Sequence, residues 1–104
     1  MKTFKKLREA GRNSIQGSIY HAITKISALR YFARPGTISG NEKEKTITFT
    51  TTEGDVVTLG GVYWKKDKMR FCYDSIIGVD DFRRSAAIIK QLEDEDIYFN
   101  TDDK

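Results

Sequence analysis

The segment 13–34 reads NSIQGSIYHAITKISALRYFAR and places apolar residues at successive spacings of 4, 3, 4, 3 and 4. This is the a/d repeat of a helix that buries one narrow stripe. The stripe, called here the helix seam, consists of Ile15, Ile19, Ala22, Ile26, Leu29 and Ala33. A seam needs a partner surface, which either the chain's own sheet or a second copy of the helix can supply.

The ends of this helix are predicted from the residues at its borders. Asn13 followed by Gln16 resembles a capping box, so the helix is expected to begin at Asn13. Pro35 disfavours helical geometry at Arg34, so the helical segment is expected to cover 13–34. Gly17 in the first turns costs roughly 1 kcal/mol relative to alanine, which indicates a close backbone approach or a tolerated weakness.

The segment 45–59 reads KTITFTTTEGDVVTL and predicts a β-hairpin, because β-branched and aromatic residues alternate in it. A two-residue loop would pair Phe49 with a threonine. A three-residue loop instead pairs Phe49 with Val57 and places Gly54 where a bulged turn requires positive φ. We therefore expect the three-residue loop.

Two further strands are expected after Gly60-Gly61. The segment 62–65 is predicted to pair with 69–73 through a turn at Asp67-Lys68, with Trp64 opposite Phe71. Together with the first hairpin this predicts a four-stranded antiparallel β-meander over 45–77.

The C-terminal part predicts one more helix, over 80–96, capped by Asp80 or Asp81. Its buried stripe is expected to consist of Phe82, Ala86, Ile89 and Leu92, or alternatively to include Ser85 and Ile88 beside them. The remaining segment 97–104 is predicted to be a tail whose apolar residues 97–99 dock as a short strand or plug.

These elements predict one α+β domain over 1–104, with N-terminal helices, a four-stranded antiparallel meander and a C-terminal helix on one face. Residues 1–12 are expected to form a basic arm or short helix. With 104 residues, 38% of them hydrophobic, the chain has enough apolar material for one core. The inner face of the sheet is expected to hold Ile47, Phe49, Val57, Leu59, Val62, Trp64, Phe71 and Tyr73, covered by Ile19, Ile23, Ile26, Leu29, Phe82, Ile89 and Leu92.

Several chemical classes are not indicated by the sequence. Cys72 is the only cysteine and His21 the only histidine, which excludes an internal disulfide and a four-ligand zinc site within one chain. His21 has no carboxylate at helical spacing to orient it as a base. We therefore assign no catalytic, cofactor-binding or metal-binding residues and expect no enzyme.

The absence of a long apolar stretch or a signal sequence indicates no membrane span and a cytoplasmic location.

Charge is distributed unevenly along the chain. Residues 1–36 hold eight basic residues and one acidic residue, for a net charge of +7, whereas the remainder carries −4. Such asymmetry attracts polyanions or allows the acidic C-terminal segment to cover the basic one. Basic residues interleaved with an aromatic also suit nucleic acid. The candidates for that contact are Lys5, Lys6, Arg8, Arg12, Tyr63, Lys65, Lys66, Lys68 and Arg70.

The helix seam leaves apolar residues on its flank that need another contact. These are Tyr20, Ile23, Tyr31 and Phe32. We therefore predict first a non-enzymatic protein-binding module, an adaptor or inhibitor that occupies a partner's surface, either alone or as a homodimer. Small domains charged at both ends and without a catalytic signature are common among accessory proteins of phages and mobile elements. The alternative prediction is a nucleic-acid-binding protein.

Overall fold

The computed structural model describes residues 17–29 and 31–100, and it confirms the α+β class. The predicted arm 1–12 lies outside the described residues. In chain order the elements are α1 (Ile19–Ser27), β1 (Ser39–Asn41), β2 (Thr46–Thr50), β3 (Val56–Gly60), β4 (Tyr63–Lys65), β5 (Arg70–Tyr73), β6 (Ser75–Ile77), α2 (Phe82–Glu93) and β7 (Ile97–Phe99). Within the described ranges the strands form a four-stranded antiparallel sheet, in the order β1-β2-β3-β6, and a three-stranded sheet, in the order β4-β5-β7. The latter is called here the small sheet.

Helix α1 is shorter than the predicted helix 13–34. The hydroxyl of Ser18 accepts a hydrogen bond from the backbone N–H of His21 (3.2 Å) and caps the start of the helix. Just before this cap, Gly17 has a φ of +90°, which interrupts any continuous helix running from Asn13. The capping box predicted at Asn13 lies outside the described residues.

The segment that follows α1 bonds to the end of β2 instead of continuing the helix. The backbone N–H of Arg34 donates to the carbonyl of Thr50 (2.8 Å), and that of Thr52 donates to the carbonyl of Phe32 (2.8 Å). The chain after α1 thus exchanges helical hydrogen bonds for sheet-type bonds with the end of β2. Ala33 still lies in line with the helix seam, because its N–H donates to the carbonyl of Leu29 (2.9 Å).

The helix seam packs into the core of its own chain. All its members within the described residues are buried, except Leu29, which is partly buried against the same core. Ile15 lies outside the described residues. The sequence left either the chain's own sheet or a second copy of the helix to cover the helix seam, and in the structure the chain's own sheets cover it.

The predicted hairpin of β2 and β3 is confirmed in its register. Phe49 pairs with Val57 and Ile47 with Leu59, and these four side chains are buried. Gly54 has a φ of +98° in the three-residue loop. The alternation of apolar and hydroxyl side chains selects this register, because a slip by one residue would turn the apolar set toward solvent.

The predicted meander differs from the structure after Gly60. Strand β4 continues the direction of β3 around a corner. The returning chain pairs antiparallel with both, β5 with β4 and β6 with β3, in one continuous register. At the corner Gly61 has a φ of +65°, and the N–H of Asp74 donates to the carbonyl of Gly60 (2.8 Å). The glycine pair therefore bends a long hairpin into two sheets instead of reversing the chain.

The C-terminal helix packs on strands as predicted, through part of the predicted stripe. Asp81 caps α2 by accepting from the N–H of Arg84 (3.1 Å). The buried residues of α2 are Leu92, as predicted, and Ile88, from the alternative stripe, whereas Phe82 is 84% exposed and Ala86 is also exposed, contrary to the prediction. Residues 97–99 do dock as a strand, and this strand runs parallel to β5.

Candidate functional site

Five side chains share the outer face of the small sheet, on the side away from the core. Directly paired residues of neighbouring strands project to the same face. Tyr63 pairs with Cys72, which pairs with Tyr98, so these three form one row across the sheet. Lys65 pairs with Arg70 in the adjacent row. This set is called here the outer face.

The basic side chains of the outer face lie directly opposite each other. Two cations in this position repel, and in the part of the chain that the structure describes neither forms an ion pair. The guanidinium carbon of Arg70 lies 4.1 Å from the ring centroid of Tyr98, which is a cation–π contact. The Nε of Arg70 is buried and has no hydrogen-bond partner among the described residues.

Cys72 lies between the two tyrosines of the outer face and is only 4% exposed. Tyr63 is 37% exposed. Partial burial, together with the neighbouring Cys72, raises the pKa of the Tyr63 hydroxyl above its ordinary value. The outer face thus presents aromatic side chains beside cationic ones.

The structure brings together only part of the predicted nucleic-acid set. Tyr63, Lys65 and Arg70 belong to the outer face, and Lys66 and Lys68 are exposed in the adjoining turn. The predicted contacts Lys5, Lys6, Arg8 and Arg12 lie outside the described residues. Sequence reasoning missed Tyr98, because its place depends on the parallel pairing of β7 with β5. The only local signal was the apolar character of residues 97–99.

A second surface is an open groove of about 180 Å³ beside Tyr31. The segment that follows α1, the loop between β2 and β3, and helix α2 surround the groove. Tyr31 is 96% exposed at its margin, and an adjoining concavity shares Tyr31, Phe32 and Gln91. The groove, called here the Tyr31 groove, is lined by Tyr31, Phe32, Thr51, Thr52, Glu53, Asp55, Arg84, Ala87, Ile88 and Gln91.

An ion pair forms part of the wall of the Tyr31 groove. Both carboxylate oxygens of Asp55 accept from the guanidinium of Arg84, at 3.1 Å from Nε and 2.5 Å from Nη2. This hydrogen bonding lowers the pKa of Asp55 and raises that of Arg84. The bidentate geometry holds the side chain of Arg84 in one orientation beside the groove.

The four residues predicted to contact a partner fall in two places. Tyr31 and Phe32 line the Tyr31 groove, and the ring of Phe32 also packs edge-on against Phe49 at 5.5 Å between centroids. Tyr20 is partly exposed on α1, whereas Ile23 packs against the core. The structure therefore does not gather these residues on one helix flank.

His21 packs at the edge of an aromatic cluster. Its ring centroid lies 5.5 Å from that of Trp64 and 5.3 Å from that of Phe71, and its Nδ1 accepts from the N–H of Gly17 (3.2 Å). Burial, with a smaller contribution from Lys25, lowers the pKa of His21 below 6.5. The ring is therefore neutral at physiological pH and acts as a packing group and hydrogen-bond acceptor.

Residues 17–29 and 31–100 show neither a candidate metal site nor a membrane-spanning helix. No three metal-ligating side chains come together in these ranges. Neither helix that they contain has the length and apolar character needed to cross a bilayer. No protein-family model matches the chain, and no solved structure matches it significantly.

Proposed function

We propose that this chain is a small non-enzymatic protein-binding module that acts as an adaptor or inhibitor by occupying a partner's surface through the Tyr31 groove. The observation that carries the proposal is the position of Tyr31, a large aromatic side chain almost fully exposed beside a concave surface. The partner is a different protein or a second copy of the chain. We propose that the module acts in the cytoplasm, as an accessory protein of the kind found in phages and mobile elements.

Tyrosine and arginine are enriched among the residues that dominate binding energy at protein interfaces. The Tyr31 groove offers both, and the backbone of Tyr31 and the side chain of Arg84 are each held by a hydrogen bond or ion pair. The hydroxyl of Thr52 donates to the carbonyl of Tyr31 (3.1 Å), and Asp55 orients Arg84. Because the Tyr31 backbone and the Arg84 side chain are ordered before a partner arrives, less conformational entropy is lost at these groups on binding.

Affinity capture with the full chain as bait tests this proposal. Tyr31→Ser should lose at least tenfold in affinity for a captured partner, the loss typical of a central aromatic contact. Phe82→Ser is the matched control, because Phe82 is also a highly exposed aromatic side chain but does not line the groove. Equal retention of every partner by the wild type and Tyr31→Ser would contradict the proposal. Sedimentation of both proteins at micromolar concentration tests a second copy as the partner.

A further inference from the structure

We propose that the outer face of the small sheet binds single-stranded nucleic acid, with bases stacked on Tyr63 and Tyr98 and phosphates contacted by Lys65 and Arg70. This inference concerns a surface separate from the Tyr31 groove and does not depend on the function proposed for that groove. It rests on the charge of the outer face, on the alignment of its tyrosines and on the lack of an ion pair at Lys65 and Arg70 within the described residues.

The charge of the outer face fits a polyanion. The hairpin 63–72 contains four basic residues and one acidic residue, Asp67. Asp96 precedes β7 next to Arg70 in register, yet within the described residues no ion pair joins an acidic side chain to Lys65 or Arg70. A phosphate between these two cations would relieve their repulsion and supply acceptors for the guanidinium.

The alignment of the tyrosines fits stacked bases. Tyr63 and Tyr98 lie in one row on the two outer strands, so about two strand spacings, roughly 9–10 Å, separate their backbones. The small side chain of Cys72 occupies the position between them, while Tyr63 is exposed and Tyr98 partly exposed. Arg70 already lies over the Tyr98 ring, in the way that guanidinium groups and bases share aromatic faces in nucleic-acid complexes.

The outer face favours a single strand over a duplex. Bases in a duplex are stacked on each other and cannot stack on tyrosines without being unpaired, whereas a single strand can place successive bases on a sheet. The exposed lysines of the adjoining turn, Lys66 and Lys68, extend the positive charge beyond the sheet for a continuing backbone.

Fluorescence anisotropy with labelled oligothymidine, oligouridine and a duplex of the same length tests the proposal on the full chain. Both single strands should bind more tightly than the duplex at low salt, and affinity should fall steeply with added salt. The relative affinity of oligothymidine and oligouridine shows whether DNA or RNA is preferred. No binding of either single strand at low salt would overturn the proposal, as would tighter binding of the duplex.

Variants then locate the binding surface. Lys65→Gln and Arg70→Gln should each reduce the salt slope by about 0.7, the value for one phosphate contact with a single strand. Lys43→Gln is the matched control, because Lys43 is an exposed lysine in the turn between β1 and β2. An equal effect of Lys43→Gln would assign binding to overall charge and overturn the proposal.

The stacking contact is tested with Tyr98→Leu, which keeps an apolar side chain of moderate size. Affinity should fall roughly 5- to 100-fold, the range for loss of one base–aromatic contact. Thermal melting of each variant confirms that the fold is retained, and Lys65→Gln serves as the independent variant because Lys65 is not among the buried residues. Unchanged affinity of folded Tyr98→Leu and Lys65→Gln would overturn the proposal. Loss of partner capture by Tyr31→Ser tests the function proposed for the Tyr31 groove, and its outcome is independent of these nucleic-acid affinities.

Discussion

At the scale of single residues, Gly61 decides how the strands divide between the two sheets. A Cβ at this position would lie 2.6 Å from Oδ2 and 3.0 Å from Cβ of Asp74, on a backbone with positive φ. The positive φ therefore favours glycine here, and any Cβ would also displace the side chain of Asp74. Gly54 has positive φ as well, but a Cβ there would have only the Arg34 side chain nearby, at 3.9 Å.

These two glycines make a matched pair for substitution by alanine. Gly54→Ala should lower the free energy of unfolding by about 1–2 kcal/mol through backbone strain alone. Gly61→Ala should cost on the order of 2–4 kcal/mol, because Asp74 must also move. Urea denaturation of both variants measures the difference. Equal losses would show that contact with Asp74 at the corner is unimportant.

His21 makes the stability of the fold depend on pH. Its pKa in the folded chain is below 6.5 because of burial, so the unfolded chain binds a proton more readily. The stability that neutral His21 contributes is fully present above pH 6.5 and is lost as the pH falls through the folded pKa. Denaturation midpoints at pH 7.5, 6.5 and 5.5 should decrease in the wild type.

His21→Phe is the control for this pH dependence, because phenylalanine can still pack against Trp64 and Phe71 but does not titrate. The variant should show a flatter stability profile between pH 7.5 and 5.5. A profile as steep as that of the wild type would assign the effect to other groups.

At the scale of elements, the start of α2 depends on one of two adjacent aspartates. The carboxylate of Asp81 accepts from the N–H of Arg84, whereas Asp80 makes no such bond. Asp81→Ala should therefore destabilise the protein by about 1 kcal/mol, the usual cost of losing a cap. Asp80→Ala removes the same charge and should change stability by less than about 0.5 kcal/mol. Thermal melting of the two variants distinguishes these outcomes. A larger loss of stability in Asp80→Ala would show that Asp80, and not Asp81, caps α2.

At the scale of the whole molecule, α1 joins the two sheets into one core. The helix seam belongs to the same buried cluster as residues of β2 and β3, while His21 packs on Trp64 and Phe71 of the small sheet. Separate unfolding of either sheet would expose apolar surface of the other. The described part of the chain is therefore expected to unfold as a single cooperative unit.

Trp64, the only tryptophan, reports on the small sheet, whereas far-UV circular dichroism reports on all elements. Urea transitions followed by the two signals should have the same midpoint and the same slope. A tryptophan transition at lower urea than the dichroism transition would show that the small sheet unfolds on its own.

The sequence by itself determined the features that depend on near neighbours. The alternation in 45–59 selected the register of β2 with β3, and the turn at Asp67-Lys68 predicted the pairing of Trp64 with Phe71. The seam spacing identified the buried side of α1 because four-residue spacing aligns side chains over successive turns. These patterns place each residue relative to others only a few positions away.

The tertiary structure alone decided where distant segments meet. The segment after α1 meets the end of β2 through hydrogen bonds with Thr50 and Thr52, and the corner at Gly61 lies against Asp74. Tyr98 reaches the outer face only because β7 pairs in parallel with β5 after the chain has passed through α2. Local propensity could not reveal these contacts, since their energy comes from burial and backbone pairing between segments far apart in the chain.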